Sequence, residues 1–302
     1  MSHGADSLKS IIFALCANGA IFLAKLAAAI ITGSGAMMAE SIHSMADCGN
    51  QLLLLLGLKH AKRPPSPDYP LGFGKAVYFW SFIVALILFS MGGVYSIYEG
   101  IHKIKHPEPL SYPMVAVGVL IFSIVAEGVS MWGCLREVKK ERGRQSLPKW
   151  FRNTRQSELL VVFGEDLAAL LGLSVALVAV VMTIFTGNPF YDASGSIMIG
   201  VILVVIAVLI GVEVQALLIG QSIAPEKREA MKQFLVERKE IDILFNLLTL
   251  QLGRDVMVAV KAKMHTSGSG EDLVTAINHC EADLKKAFPE VLWLFFEPDC
   301  RD

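Results

Sequence analysis

The sequence predicts a membrane all-α six-helix transmembrane bundle followed by a small α+β domain, and three observations carry that prediction. Of the 302 residues, 54% are hydrophobic and 18% charged, against roughly 45–50% and about 25% in ordinary soluble domains. Six apolar segments reach the roughly 20 residues that a helix needs to cross a hydrocarbon core about 30 Å thick. From about Ala224 the apolar runs give way to alternating charges and short strand-like stretches.

The spans are expected at about 9–32, 37–59, 75–100, 111–135, 157–186 and 192–219. Thr32-Gly33-Ser34-Gly35 makes a tight turn between the first two, and Pro64-Pro65-Ser66-Pro67 cannot continue the second. His106-Pro107-Glu108-Pro109 ends the third span, and Thr186-Gly187-Asn188-Pro189 ends the fifth. Backbone groups in lipid must be satisfied within their own segment, so apolar runs of this length mean helices. The transmembrane domain is therefore expected over 1–220 and the soluble tail over 221–302. Within the tail, 225–240 reads as an amphipathic helix and 271–288 as a second helix. The segments 243–252 and 255–265 read as strands around Gly253-Arg254, and 291–297 as a last strand. Val256, Val258, Val260 and Ala262 alternate with Met257, Ala259, Lys261 and Lys263, which marks one buried face. The order α-β-β-α-β suits a layer of about 80 residues whose small core gains stability by pairing with itself.

A net charge of −1 gives no sign of a nucleic-acid partner. Charge does set an orientation. The loop after span two carries Lys59, Lys62, Arg63 and Lys75, and the loop after span four carries Arg136, Lys139, Lys140, Arg142, Arg144, Lys149, Arg152 and Arg155. The alternate loops hold only Lys103 and Lys105, so the positive-inside rule puts both termini in the cytoplasm. A bacterial inner membrane is expected, or an organelle membrane if the source is eukaryotic; no signal-peptide layout and no Arg-rich leader is seen. The five cysteines, Cys16, Cys48, Cys134, Cys280 and Cys300, form no C-x-x-C pair and indicate neither a disulfide framework nor a thiolate zinc site. No nucleophile–base pair or elbow motif points to an enzyme, and no organic cofactor motif is present.

The chemistry lies in ionisable residues within the spans, where a charge costs at least about 2.5–3.5 kcal/mol and so calls for a partner or a task. Glu40, His43, Asp47 and Asn50 follow steps of three, four and three, which puts them on one helical stripe. His43 and Asp47, one turn apart, offer an imidazole nitrogen and a carboxylate to the same point, a mixed donor set suited to zinc and related metals. Span five supplies Glu165 and Asp166 with no basic residue near them in sequence. Adjacent helical residues point about 100° apart, so one of the two meets a shared ion; Asp166 is favoured as ligand and Glu165 as its support or as a proton carrier. Removing a divalent ion from such a cluster draws in protons, the physical basis of metal–proton exchange. Lys25 in span one is expected to pair with a carboxylate or to snorkel, and Glu127 in span four to line the path or cap a polar contact. Asp68 belongs to the Pro-rich loop and reads as solvated. Gly33, Gly35 and Ala36 permit close helix approach, and His265 and the pair His279-Cys280 read as surface residues.

The stretch Ser34-Gly35-Ala36-Met37-Met38-Ala39-Glu40-Ser41-Ile42-His43-Ser44-Met45-Ala46-Asp47-Cys48-Gly49-Asn50 resembles the cation diffusion facilitator family. Asp68-Tyr69-Pro70-Leu71-Gly72-Phe73-Gly74-Lys75 and Tyr191-Asp192-Ala193-Ser194-Gly195-Ser196 carry the same resemblance, which covers essentially the whole chain. Glu165-Asp166-Leu167-Ala168-Ala169 and the Pro-rich loop look like its zinc transporter nine-like branch. The resemblance implies a homodimer of six-helix bundles with cytoplasmic ferredoxin-like domains and a tetrahedral site between spans two and five. On that implication His43, Asp47 and Asp166 are ligands of the transported metal. The family's usual span-five His or Asp is Val162 here, which leaves Glu165, Asn50 or water for the fourth position. Phe73 and Lys75 stand where the family often has a loop histidine. Phe245, Phe295 and Glu297 replace ligands of a regulatory zinc site, so no strong tail site is expected.

The expected function is export of a divalent metal from the cytoplasm in exchange for protons. Zn2+ is the leading substrate, with Mn2+, Fe2+ or Co2+ as alternatives, and His43, whose reference pKa is about 6.5, is the natural proton partner. The competing expectation is a membrane-embedded metal sensor or assembly protein that binds without transport.

Overall fold

A computed structural model describes residues 3–107, 112–265 and 268–301, with side chains from Asn18 onward. Glu108 and Pro109 of the expected break and the side chain of Cys16 lie outside the described residues. The chain divides into two compact units: Met1–Leu56, Trp80–Arg144 and Glu158–Glu213 form one, and Gly57–Phe79, Gln145–Ser157 and Val214–Asp302 the other.

In the first, helical unit the punctuation of the sequence becomes helix ends. Helix α1 (His3–Thr32) stops at Gly33, whose φ of 68° is a conformation that favours glycine. Helix α2 (Gly35–Ala61) starts from Ser34, whose Oγ accepts the N–H of Met37 at 3.1 Å as an N-cap. The third span is helical over α3 (Ala76–Ile87), a π segment (Leu88–Val94) and α4 (Tyr95–Lys105). It runs further than the expected 75–100, and the π turn was not foreseen: Gly92 and Gly93 carry no side chain to resist the wider turn. Helix α5 (Pro113–Arg142) takes Pro113 at its first turn and outlasts the expected 135, because its basic last residues suit a helix C-terminus. Helix α7 (Ser157–Thr186) stops before Gly187 and Pro189, and α8 (Phe190–Ile219) completes the set. Among the described residues, four helices are long and apolar enough to cross a membrane: Ala76–Lys105, Pro113–Arg142, Ser157–Thr186 and Phe190–Ile219. The described apolar stretch of α1, Asn18–Thr32, is shorter, and α2 spends apolar length on its polar stripe.

Small residues let these helices approach closely. A Cβ on Gly200 of α8 would lie 2.6 Å from the carbonyl oxygen of Gly93 and 2.8 Å from the amide nitrogen of Ile97. Large side chains fill the rest, with Leu120, Leu160, Leu173, Leu203 and Ile210 fully buried, while Phe122, Val125, Val129 and Trp132 of α5 stay exposed. That outward apolar face suits lipid rather than water.

The second unit holds the tail together with residues 57–79 and 145–157. A short helix, α6 (Leu147–Asn153), sits in the basic loop and is anchored by the buried Trp150. The tail runs α9 (Pro225–Val236), β1 (Ile241–Leu252), β2 (Asp255–Met264), α10 (Gly270–Ala287) and β3 (Val291–Pro298). The sheet order is β1-β2-β3, with β1 and β2 antiparallel about Gly253-Arg254 and β2 and β3 parallel. Val256, Val258, Val260 and Ala262 are buried, as their alternation predicts, and pack with Met231, Leu235, Leu247, Cys280 and Leu284. Cys280 corrects one expectation: it is a core residue, because it shares a helical face with Leu284 one turn later. His279 beside it is exposed, as is His265.

Candidate metal site

The helical period of α2 turns sequence spacing into a stripe. Glu40, His43 and Asn50 are buried, and the Asp47 side chain is 13% exposed. Nε2 of His43 stands 3.6 Å from Oδ2 of Asp47, too far for a hydrogen bond. Two ligand atoms on a tetrahedral zinc are about 3.3–3.5 Å apart, given bonds of about 2.0–2.2 Å. The pair is therefore spaced like one edge of a zinc coordination sphere.

The stripe is also rich in polar atoms without partners. Both ring nitrogens of His43, Oδ1 of Asp47, Oδ1 of Asn50, Oε1 of Gln51 and Oε1 of Glu40 are buried and make no hydrogen bond. More than nine in ten buried polar groups in proteins are paired, so several orphans within a few turns are a chemical anomaly. All six of these are acceptor oxygens or imidazole nitrogens, the donor types that a borderline divalent metal takes.

Helix α7 brings the second cluster. Glu165 is 6% and Asp166 9% exposed. Nδ2 of Asn50 donates to Oε1 of Glu165 at 2.5 Å, which ties the α2 stripe to α7. Asp166 instead faces α5, where Oγ of Ser130 lies 3.2 Å and 3.3 Å from its two carboxylate oxygens. Glu127 of α5, also buried, interacts electrostatically with Asp47, Glu165, Asp166 and Lys25. Lys25 of α1 pairs with Glu40 at 3.3 Å and donates to Ser44 at 2.7 Å, so it pairs rather than snorkels. Asp68 is exposed in the 62–75 loop of the other unit.

Among the described residues, no three His, Cys, Asp or Glu side chains come close enough together to hold one ion. His43 and Asp47 thus stand as a pair in this arrangement, with Asp166 apart on Ser130. Sequence reasoning missed Ser44, Ser130 and the second polar stripe of α5. Ser123, Glu127 and Cys134 are all buried at steps of four and seven, a helical spacing that was legible in the sequence. Short hydroxyls and a thiol stand out less in an apolar run than carboxylates do.

Residues 11–219 match the cation efflux transmembrane domain. Over 263 residues the chain is 35% identical to a Xenopus laevis protein named "Proton-coupled zinc antiporter SLC30A9, mitochondrial", covering 86% of this chain and 47% of the relative. The Homo sapiens protein of that name is 34% identical over 248 residues, covering 81% of this chain and 44% of the relative. The Arabidopsis thaliana "Metal tolerance protein C4" is 29% identical over 249 residues, covering 82% of this chain and 54% of the relative. The chain spans about half the length of these curated relatives.

Proposed function

The chain belongs to the cation efflux family, and from that premise we propose that it exports a divalent transition metal from the cytoplasm in exchange for protons, with zinc as the leading substrate. The observation that carries this reading is the His43–Asp47 pair: buried, spaced like a zinc edge, with both imidazole nitrogens unpartnered. Two relatives bear names that call them proton-coupled zinc antiporters.

The proposed ligands are His43, Asp47 and Asp166, with Glu165 or Asn50 completing the set or carrying a proton. A helix movement that draws Asp166 off Ser130 toward the α2 stripe closes the site around the ion. The reverse movement opens it, and the freed carboxylates and imidazole take up protons for the return. A site that is only half assembled at rest suits this work, because an ion held by a complete and rigid cage leaves slowly.

The chain is a multi-pass membrane protein. The finer architecture is proposed: six spans over 1–220, both termini in the cytoplasm, and a ferredoxin-like tail over 221–302 that supports a homodimer. The four apolar helices and the basic loops after the second and fourth spans support it. The family match and the relatives' names favour transport over catalysis.

The deciding experiment is zinc uptake into sealed proteoliposomes under an imposed pH gradient, with Asp47→Ala alongside. Flux that follows the gradient and is lost in Asp47→Ala supports the exchanger. Zinc binding without flux of zinc, manganese, iron or cobalt would replace it with a metal sensor, a reading that the half-assembled site also accommodates.

A further inference from the structure

We infer that Lys25 is a resident counter-cation of the transport site, a positioning residue whose fixed charge opposes the bound metal and keeps its affinity low enough for release. This rests on the metal-site reading above and assigns a task to a residue outside the ligand set. Lys25 is 0% exposed, and among the described residues it is the only buried lysine or arginine. Its Nζ donates to Ser44 Oγ at 2.7 Å and lies 3.3 Å from Glu40 Oε2. Ser44 follows His43 directly and precedes Asp47 by one turn, so the ammonium is held against the turn that carries both proposed ligands. Lys25 also interacts electrostatically with each of them.

A purely structural role explains this poorly. Two apolar side chains would join α1 to α2 at less cost than a buried ion pair. The pair is also incomplete, because the second carboxylate oxygen of Glu40, Oε1, has no partner and points at Gly172 of α7. Around the stripe stand the carboxylates of Glu40, Asp47, Glu127, Glu165 and Asp166, with one lysine among them. Carboxylates drawn together around a divalent ion hold it tightly in a low-dielectric interior, and a transport site must bind weakly enough to let the ion leave. A fixed positive charge beside the site lowers the affinity without taking a coordination position.

The test is isothermal titration of zinc into the purified full-length chain in detergent, with folding checked by gel filtration. Lys25→Met is expected to bind zinc at least about tenfold more tightly, since it removes a repelling charge. Glu40→Gln is expected to bind at least about tenfold more weakly, because it strips Lys25 of its neutralising partner. Lys25→Arg keeps the charge and is expected within about threefold of the unmodified chain. Shifts of opposite sign in the two variants support the inference, since a merely structural pair moves both the same way. Shifts of the same sign, or none, overturn it while leaving the metal site standing. Should Lys25→Met not fold, Glu40→Gln decides, and unchanged or tighter binding there overturns the inference. No zinc binding by the unmodified chain overturns the site reading and the role of Lys25 with it.

Discussion

Asp192, at the start of α8, closes the amino end of α2 through Ser34: Oδ1 of Asp192 accepts the Ser34 hydroxyl at 2.5 Å, and Oδ2 accepts the N–H of Gly35 at 2.7 Å. Lys103 of α4 donates to the carbonyl of Gly33 in the same turn. A carboxylate at a helix N-terminus satisfies orphan donors and faces the positive end of the helix dipole. The helix that carries the polar stripe of Glu40, His43, Asp47 and Asn50 is thus fixed at one end by a residue far away in sequence.

Asp192→Ala leaves the Ser34 hydroxyl and the Gly35 amide buried without an acceptor, at about 1–3 kcal/mol each. Thermal unfolding in detergent is expected to show a clearly lowered midpoint, with Asp192→Asn in between because it keeps one acceptor oxygen. A melting curve for Asp192→Ala that overlays the unmodified one would show that the end of α2 is held by something else.

Gly200→Ala should be poorly tolerated. Its new Cβ would meet the backbone of Gly93 and Ile97, which no rotamer change can relieve, and overpacking of this kind costs about 1–3 kcal/mol. Gly118 of α5 has nothing within 4 Å of the equivalent position, so Gly118→Ala should match or exceed the parent by about 0.5–1 kcal/mol through helix propensity. Equal unfolding midpoints for the two variants would argue against a glycine-mediated contact between the π segment and α8.

The α2 stripe was legible because a single helix repeats in one known period, so Glu40, His43, Asp47 and Asn50 could be aligned from their numbers alone. The tail strands were legible for the same reason, since Val256, Val258, Val260 and Ala262 follow the two-residue period of a half-buried strand. What joins different helices was not legible. Nothing in local spacing pairs Lys25 with Glu40, Asn50 with Glu165 or Asp192 with Ser34; those contacts depend on how helices cross. The π segment escaped because its two glycines read as ordinary small residues, and α6 escaped because Lys149 and Arg152 made its loop look like solvated charge.

Acid should loosen the tail. The hydrogen bond from Lys263 at 2.7 Å holds Asp242 below the ordinary aspartate range, and that from Lys261, helped by the backbone amides of Cys300 and Arg301, does the same for Asp299. Asp272, which closes the capping box of α10 by accepting the backbone amide and hydroxyl of Ser269, is also lowered. A carboxyl group whose folded value is depressed contributes stability that is complete above its unfolded value near 3.8. That contribution fades as pH falls through the lower folded value. Hydrogen exchange of the tail strands, corrected for its intrinsic pH dependence, should therefore be flat from neutral pH to about 5 and accelerate below about 4. Protection that declines steadily from neutral pH would point to other groups.

Val162 offers the sharpest test of where the ion sits. It lies four residues before Asp166 on α7, so a histidine there would stand one turn away from that carboxylate. The change would repeat on α7 the His43–Asp47 arrangement of α2 and supply the ligand the family usually has at this position. If the ion is shared between the two helices, Val162→His should tighten zinc binding at least about tenfold, a gain of roughly 1.4 kcal/mol or more. Turnover in proteoliposomes should fall at the same time, because a completed cage releases its ion slowly. The two readouts separate the alternatives. Tighter binding with slower flux means that α7 contributes ligands during the cycle, whereas unchanged affinity would mean that the ion never meets this face of α7. The site would then have to be completed around α2 from Glu127 on α5, whose carboxylate already interacts with Asp47.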